Sequence, residues 1–317
     1  MNARWQKISS INDALNDIIY LMYEALQSDE QEPDNTSALK EYLPFLLRDV
    51  AREFKNAHFR IGGYFVHQSP RVKNLLTGDV CELGDLLIIY NEKHKSINYY
   101  NSLLLQAKRS CNNIKSNDSQ YVLYNSWPKF KFSSKEILGG QNIDIYPKTV
   151  SPGAQYLIIH HSISTCCFFK FIVDYWCSQP ILPLEKNISL AEELLDFLNF
   201  QTGRPFSDVH QQISTAKTDS SGSSSSQPGN NIVDEWSKMI CGLIEYVAER
   251  KYTRKNMGIT KDKRRKRSTI VDSLEGLLED SIFVDSALKN SEDESQAISV
   301  LVIENDLSET ELEKKND

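Results

Sequence analysis

Asp85, Gln106 and Lys108 are the residues of this chain whose types and spacing point to shared chemistry. They belong to the stretch CELGDLLIIYNEKHKSINYYNSLLLQAKRS, Cys81 to Ser110. Glu82 and Asp85 stand at the mouth of an apolar run, Leu86–Ile89. A polar, turn-like segment follows from Asn91 to Ser96, and a second apolar run ends in Gln106-Ala107-Lys108. Two such runs around a turn read as a hairpin, with a carboxylate on one arm and a lysine on the other. Strand side chains alternate between faces. Leu104, Gln106 and Lys108 therefore share one face, and Leu103, Leu105 and Ala107 the other. A carboxylate holds a divalent metal, and a lysine beside it orients or deprotonates a water. These are the parts of metal-assisted phosphodiester cleavage. The plainer alternative is a hairpin with a charged rim. Against it, both arms are long, apolar and β-rich, and the polar trio interrupts them where solvated chemistry is expected.

The pattern resembles the PD-(D/E)xK nuclease superfamily, the restriction-endonuclease-like fold. Gly84-Asp85 stands where that family has Pro-Asp, and Gln106-Ala107-Lys108 where it has (D/E)-x-K. The Gln is a departure that occurs in branches of the superfamily, and it takes one charge out of the metal shell. A neutral amide oxygen is a weaker ligand for a hard cation than a carboxylate. Glu82 can supply the missing charge, as can Glu41 or Glu53 on a preceding helix. The resemblance implies Asp85, Glu82 and Gln106 as metal ligands with the Ala107 carbonyl, and Lys108 as the group that positions water and steadies the phosphorane charge. Arg109 and Lys115 would hold the scissile backbone. Mg²⁺ is the implied ion, with Mn²⁺ as a substitute. The implied function is a metal-dependent nuclease acting on DNA, in a setting of bacterial anti-phage defence. Its alternative is a catalytically inactive nucleic-acid-binding or protein-interaction subunit on the same scaffold.

The elements that must position these residues follow from periodicity. Ile8–Gln27 and Ser37–Ala57 read as amphipathic helices, giving N-terminal helices over about 8–57. Phe59–His67 reads as a strand in which Gly62-Gly63 marks a bulge or kink. After the motif hairpin at 81–110, a short helix over Gln120–Trp127 stops at Pro128. Lys129–Phe132 and Gln155–His161 read as strands, Thr165–Val173 as an apolar run, and Leu190–Phe200 as a helix. SSGSSSSQPGNN, within about 215–231, has too few apolar groups to pack and reads as a flexible insertion. A helix over Ile232–Arg250 and a strand over Ala297–Ile303 complete the reading. The expected fold is α/β, with a mixed central sheet flanked by helices, in a single nuclease-like domain over residues 1–317. Trp127, Trp176 and Trp236 are expected in the core.

Composition bounds the partners. No apolar run approaches the roughly eighteen residues of a membrane span, so no membrane is expected. The opening residues do not read as a signal peptide, and the six cysteines form no CxxC pair. Reduced thiols in a cytoplasmic protein are the simplest reading. His160-His161 with Cys166-Cys167 reads as a strand end and core cysteines rather than a metal cluster. The net charge of −7 hides a partition, because residues from Asp272 onward carry fourteen acids and three bases. The rest is net positive, and Arg250 to Arg267 holds ten bases against one acid. Local charge governs phosphate attraction. Lys263, Arg264, Arg265, Lys266 and Arg267 are therefore expected on nucleic acid, unless the acidic tail neutralises them. A homo-oligomer or a partner defence subunit is left open.

Overall fold

A run of consecutive apolar residues in a strand needs cover on both faces, and Leu86–Tyr90 and Leu103–Leu105 of the motif hairpin, all buried, have it. The computed structural model describes residues 59–66, 70–95, 97–108, 114–164, 170–185, 188–209, 234–255, 270–278 and 298–307. The described strands are β1 (Phe59–Val66), β2 (Arg71–Asn74), β3 (Val80–Glu82), β4 (Leu86–His94), β5 (Ile97–Lys108), β6 (Phe130–Phe132) and β7 (Asn142–Ile143). They continue with β8 (Ala154–Ser164), β9 (Lys170–Ser178), β10 (Ile188–Ser189), β11 (Arg204–Phe206) and β12 (Ile298–Asp306). The α-helices are α1 (Ser119–Ser126), α2 (Leu190–Leu198), α3 (Glu235–Lys255) and α4 (Ile270–Leu278).

Eight strands form the large sheet, in the order β1-β12-β4-β5-β8-β9-β10, with β11 added against β5. The sheet is mixed: β12 runs parallel to β4 and β8 parallel to β5, while β4–β5 and β1–β12 are antiparallel. Leu87, Ile89, Leu104, Ile158 and Val302 face a core shared with α1, α3 and α4. Leu86, Ile88, Leu105, Leu157 and Ile303 face a second core closed by α2 through Leu190, Leu194 and Phe197. This is the α/β fold with a helix-flanked mixed sheet that the sequence led us to expect. Trp127 and Trp236 lie fully in the core, and Trp176 packs partly against it.

A second sheet of four strands, β3-β2-β6-β7, lies against the first core through Val72, Phe130, Phe132 and Ile143. The sequence reading had no β2 or β3. Their strands, RVKN and VCE, are short and partly charged, so period-two alternation has too little length to register. Two further expectations are corrected. Gly62-Gly63 makes no bulge, since β1 pairs with β12 in unbroken register. A Cβ at Gly62 would instead collide with the Leu277 carbonyl oxygen and come within 2.9 Å of Leu278 Cα. Gly62 makes room for the close passage of α4, and Gly63 for the backbone of β12, where a Cβ would stand 2.5 Å from the Val300 carbonyl oxygen. The acidic segment from Asp272 is also more than a tail. Its start lies in α4, with Ile270, Leu274 and Leu277 buried, and β12 is an interior strand of the large sheet, between β1 and β4. No helix among the described residues is long and apolar enough to cross a membrane. The expected helices over 8–27 and 37–57 and the Ser-rich segment lie outside the described residues.

Candidate active site

The segment Leu83-Gly84-Asp85 is pinned against β5 by main-chain and side-chain bonds. Leu83 N donates to the Pro70 carbonyl at 2.9 Å, and Asp85 N to the Leu105 carbonyl at 2.9 Å. The Tyr124 hydroxyl, on α1, donates to the Leu83 carbonyl at 2.6 Å. Gly84 permits this closeness: a Cβ there would stand 2.7 Å from Leu104 Cδ1 and 2.9 Å from the Tyr124 oxygen. A residue with no side chain lets the chain press onto β5, and Asp85 follows it down.

The register β4–β5 runs Leu86↔Leu105 and onward, so Asp85 comes beside Gln106. Gln106 is buried, at 4% exposure, and faces the same core as Leu104. Its Nε2 donates to Asp85 Oδ2 and lies 3.5 Å from the Ala107 carbonyl oxygen. Ala107 N donates to the same Asp85 oxygen at 2.8 Å. On the other side of the amide, Gln106 Oε1 accepts from Gln120 Nε2, which also donates to the Glu82 carbonyl at 3.2 Å. The chemistry orients the chain of amides. A carboxylate only accepts, so Gln106 must turn its NH₂ to Asp85 and its oxygen to Gln120. Gln120 comes from the first turn of α1, and sequence reasoning missed it. The signal was a polar residue opening the helix next after the motif, with no spacing rule to link it to Gln106.

Lys108 lies two residues beyond Gln106 on the same strand face, half-buried, and opposite Ile158 of β8. Among the described residues it forms no ion pair. Glu82 ends β3 as the register partner of Arg71, and its main-chain carbonyl belongs to the amide network. Lys115 is exposed ahead of α1, and its backbone N–H donates to Asp118 Oδ2 at 2.8 Å. Arg109, Lys263, Arg264, Arg265, Lys266 and Arg267, with Glu41 and Glu53, fall outside the described residues. The structure thus brings Asp85, Gln106, Ala107 and Lys108 together, with the Glu82 backbone beside them.

Two neighbours have shifted ionisation. Burial, helped by Glu82 and Asp79, pushes the Cys81 thiol up to about 11, so it stays protonated near neutrality and is a poor nucleophile. Burial also raises the Tyr156 hydroxyl, on the strand position opposite Gln106, and the Asp118 charge adds to it. Both groups remain neutral.

The oxygen set can be tested against a cation. Asp85 Oδ2 accepts from Gln106 Nε2, which lies 3.5 Å from the Ala107 carbonyl oxygen, so Gln106 turns its NH₂ and not its oxygen to Asp85 and in this orientation is not the oxygen ligand the resemblance implied; Asp85 and the Ala107 carbonyl are the oxygens that remain. The donors are hard oxygens with one formal charge. That set fits Mg²⁺, which keeps several waters and needs only one or two carboxylates beside substrate phosphates. Among the described residues no group of three His, Cys, Asp or Glu side chains gathers for a metal, so the protein shell is sparse. No protein-family model, curated protein or solved structure matches the chain.

Proposed function

We propose that this chain is a metal-dependent nuclease that hydrolyses phosphodiester bonds of DNA at Asp85 and Lys108. One observation carries the reading: two acceptor oxygens, Asp85 Oδ2 and Ala107 O, meet at one electropositive group on the same strand end as Lys108. The likeness of the motif to the PD-(D/E)xK pattern supports it. Mg²⁺ bound there would polarise the scissile phosphate and generate hydroxide from water. Asp85 contributes the fixed negative charge. Lys108 would place an ammonium where negative charge develops on the phosphoryl oxygens, and its N–H groups would orient the attacking water. Gln106 and Gln120 fix the Asp85 carboxylate through hydrogen bonds, so that it is set before substrate arrives.

A second reading is favoured by a specific feature. Asp85 Oδ2 is already satisfied by two N–H donors, with no cation needed. A protein that has given up catalysis would keep such a closed network and bind nucleic acid only. Purified protein, incubated with plasmid DNA and with RNA in Mg²⁺, Mn²⁺ or EDTA, separates the two. The nuclease reading expects DNA cleavage with either metal and none in EDTA. Asp85→Ala and Lys108→Ala should each lower the rate by about 10²–10⁴-fold with the fold intact by circular dichroism. Wild-type turnover in both variants dismisses this site. A folded wild-type protein that cleaves nothing in either metal leaves the non-catalytic reading.

A further inference from the structure

The small sheet has an outer face that no core uses. Alternation turns Val72, Phe130 and Phe132 inward and leaves Arg71, Lys73 and Lys131 on the opposite side. The register sets Lys73 directly across from Lys131, with Val80 as the other neighbour of Lys73, and sets Glu82 across from Arg71, so the excess of positive charge lies at the Lys73–Lys131 pair. Two ammonium groups therefore stand side by side in one row of an antiparallel pair. Like charges directly opposite each other destabilise such a pair. Among the described residues, Arg71, Lys73 and Lys131 form no ion pair. Several other described cations are matched: Arg60 and Lys93 to Glu275, Lys148 to Asp144, Arg204 to Asp234 and Arg250 to Glu136. A repelling pair held on rigid strands calls for an anion from outside the chain.

The turn joining β2 to β3 adds a second feature. Asn74 Oδ1 accepts from Leu76 N at 2.8 Å, Gly78 N donates to the Asn74 carbonyl at 2.9 Å, and Gly78 takes the left-handed φ of 82°. This tight turn projects Leu76, 89% exposed. An apolar side chain that juts out beside cations matches the way duplex binders combine phosphate contacts with an apolar wedge at base steps. In the chain, β3 lies close to the candidate site, ending at Glu82 three residues before Asp85.

We propose that the outer face of the small sheet is a docking surface for duplex DNA, with Lys73, Lys131 and Arg71 on phosphates and Leu76 at the groove. The proposal rests on the reading of this chain as a protein that acts on nucleic acid. A duplex is favoured over a single strand because single-strand binders stack bases on aromatic side chains, and the described residues of this face include none. It is favoured over duplex RNA because an apolar wedge acts at DNA base steps that unstack and kink, whereas duplex RNA is held mostly by 2′-hydroxyl and phosphate contacts.

The test is binding of the full chain to a short fluorescent DNA duplex in EDTA, followed by anisotropy across a salt series. Lys73→Gln with Lys131→Gln should flatten the slope of log affinity against log salt by about 1.8, two phosphate contacts at about 0.9 each. The double variant should melt no lower than wild type, because the substitutions remove a repulsion. Leu76→Ser should weaken binding several-fold at every salt without changing the slope. Lys95→Gln, in the exposed turn at the far end of β4 from Asp85, should leave the slope alone. An unchanged slope in the double variant, an equal change in Lys95→Gln, a lower melting temperature in the double variant, or tighter binding of single-stranded DNA or duplex RNA overturns the proposal. Mg²⁺-dependent cleavage is scored separately. Cleavage with an unchanged slope sinks the surface and leaves the active site. A flattened slope in a protein that cleaves nothing keeps the surface and removes the catalytic reading.

Discussion

Gln106 does with one neutral amide what a carboxylate at the same position would leave to a cation. Its NH₂ bridges toward two acceptor oxygens, and Gln120 satisfies its own oxygen. In Gln106→Glu, two carboxylates would meet without a donor between them, a like-charge contact that resists double ionisation. The variant should melt lower than wild type in EDTA at neutral pH and recover with Mg²⁺, whereas wild type should respond less to the ion. Calorimetric scans of both proteins with and without Mg²⁺ check this, and equal responses would show that position 106 does not adjoin a metal site. That Gln106 and Lys108 share a face of β5, with Asp85 beside them at the start of the other hairpin arm, was legible from alternation and pairing along the two arms. Gln120 was not legible. Its partnership with Gln106 is made by the packing of α1 on the sheet, which no local pattern encodes.

Element by element, what the sequence reveals depends on length. The nine residues of β4 and twelve of β5 give periodicity room to speak, and α2 declares itself by its apolar stripe. The four residues of β2 and three of β3 do not, so the whole small sheet was missed, and with it the cationic row. Gly62-Gly63 was read for its backbone freedom, when its cause is a neighbour remote in sequence. Since α4 passes with its backbone against Gly62, Gly62→Ala forces β1 and α4 apart. The cost should be about 1–3 kcal/mol, typical of overpacking a tight contact. Chemical denaturation measures it, and a neutral result would show that α4 can shift without loss.

Across the whole molecule, one ion cluster ties together four elements distant in sequence. Glu304 of β12 is 2% exposed and takes Arg60 of β1 at 3.1 Å and Lys93 of β4 at 2.8 Å. Glu275 of α4 joins the same two cations at 2.8 and 3.2 Å. Hydrogen bonds from Arg60, with help from Lys93, hold the Glu275 carboxyl below its ordinary 4.5 against the opposing effect of burial. A depressed carboxyl stabilises the fold fully above the unfolded value and loses that contribution as pH falls through the folded one. Glu193 behaves in the opposite sense. Burial raises it despite hydrogen bonds from Thr202 and Gln155, so its ionisation costs stability as pH rises past 4.5. Melting temperature against pH should therefore fall on the acid side of 4.5 less steeply in Glu275→Gln than in wild type. A parallel acid limb in the two proteins would show that Glu275 carries none of the acid sensitivity.

The place of β12 between β1 and β4 has a consequence for how the protein is made. Ribosomes deliver β4 and β5 well before residues 298–306, so the motif hairpin emerges with one edge of β4 unpaired. Such an edge is a template for pairing with other chains. The large sheet stays in two pieces until β12 arrives to join them, and that joining is among the most non-local events a chain can undergo. A nascent copy is thus exposed to misassembly through most of translation, when holdase chaperones would find it. A frameshift or cut upstream of residue 298 removes the strand that joins β1 to β4, so damaged copies keep the bare edge of β4 beside the candidate site.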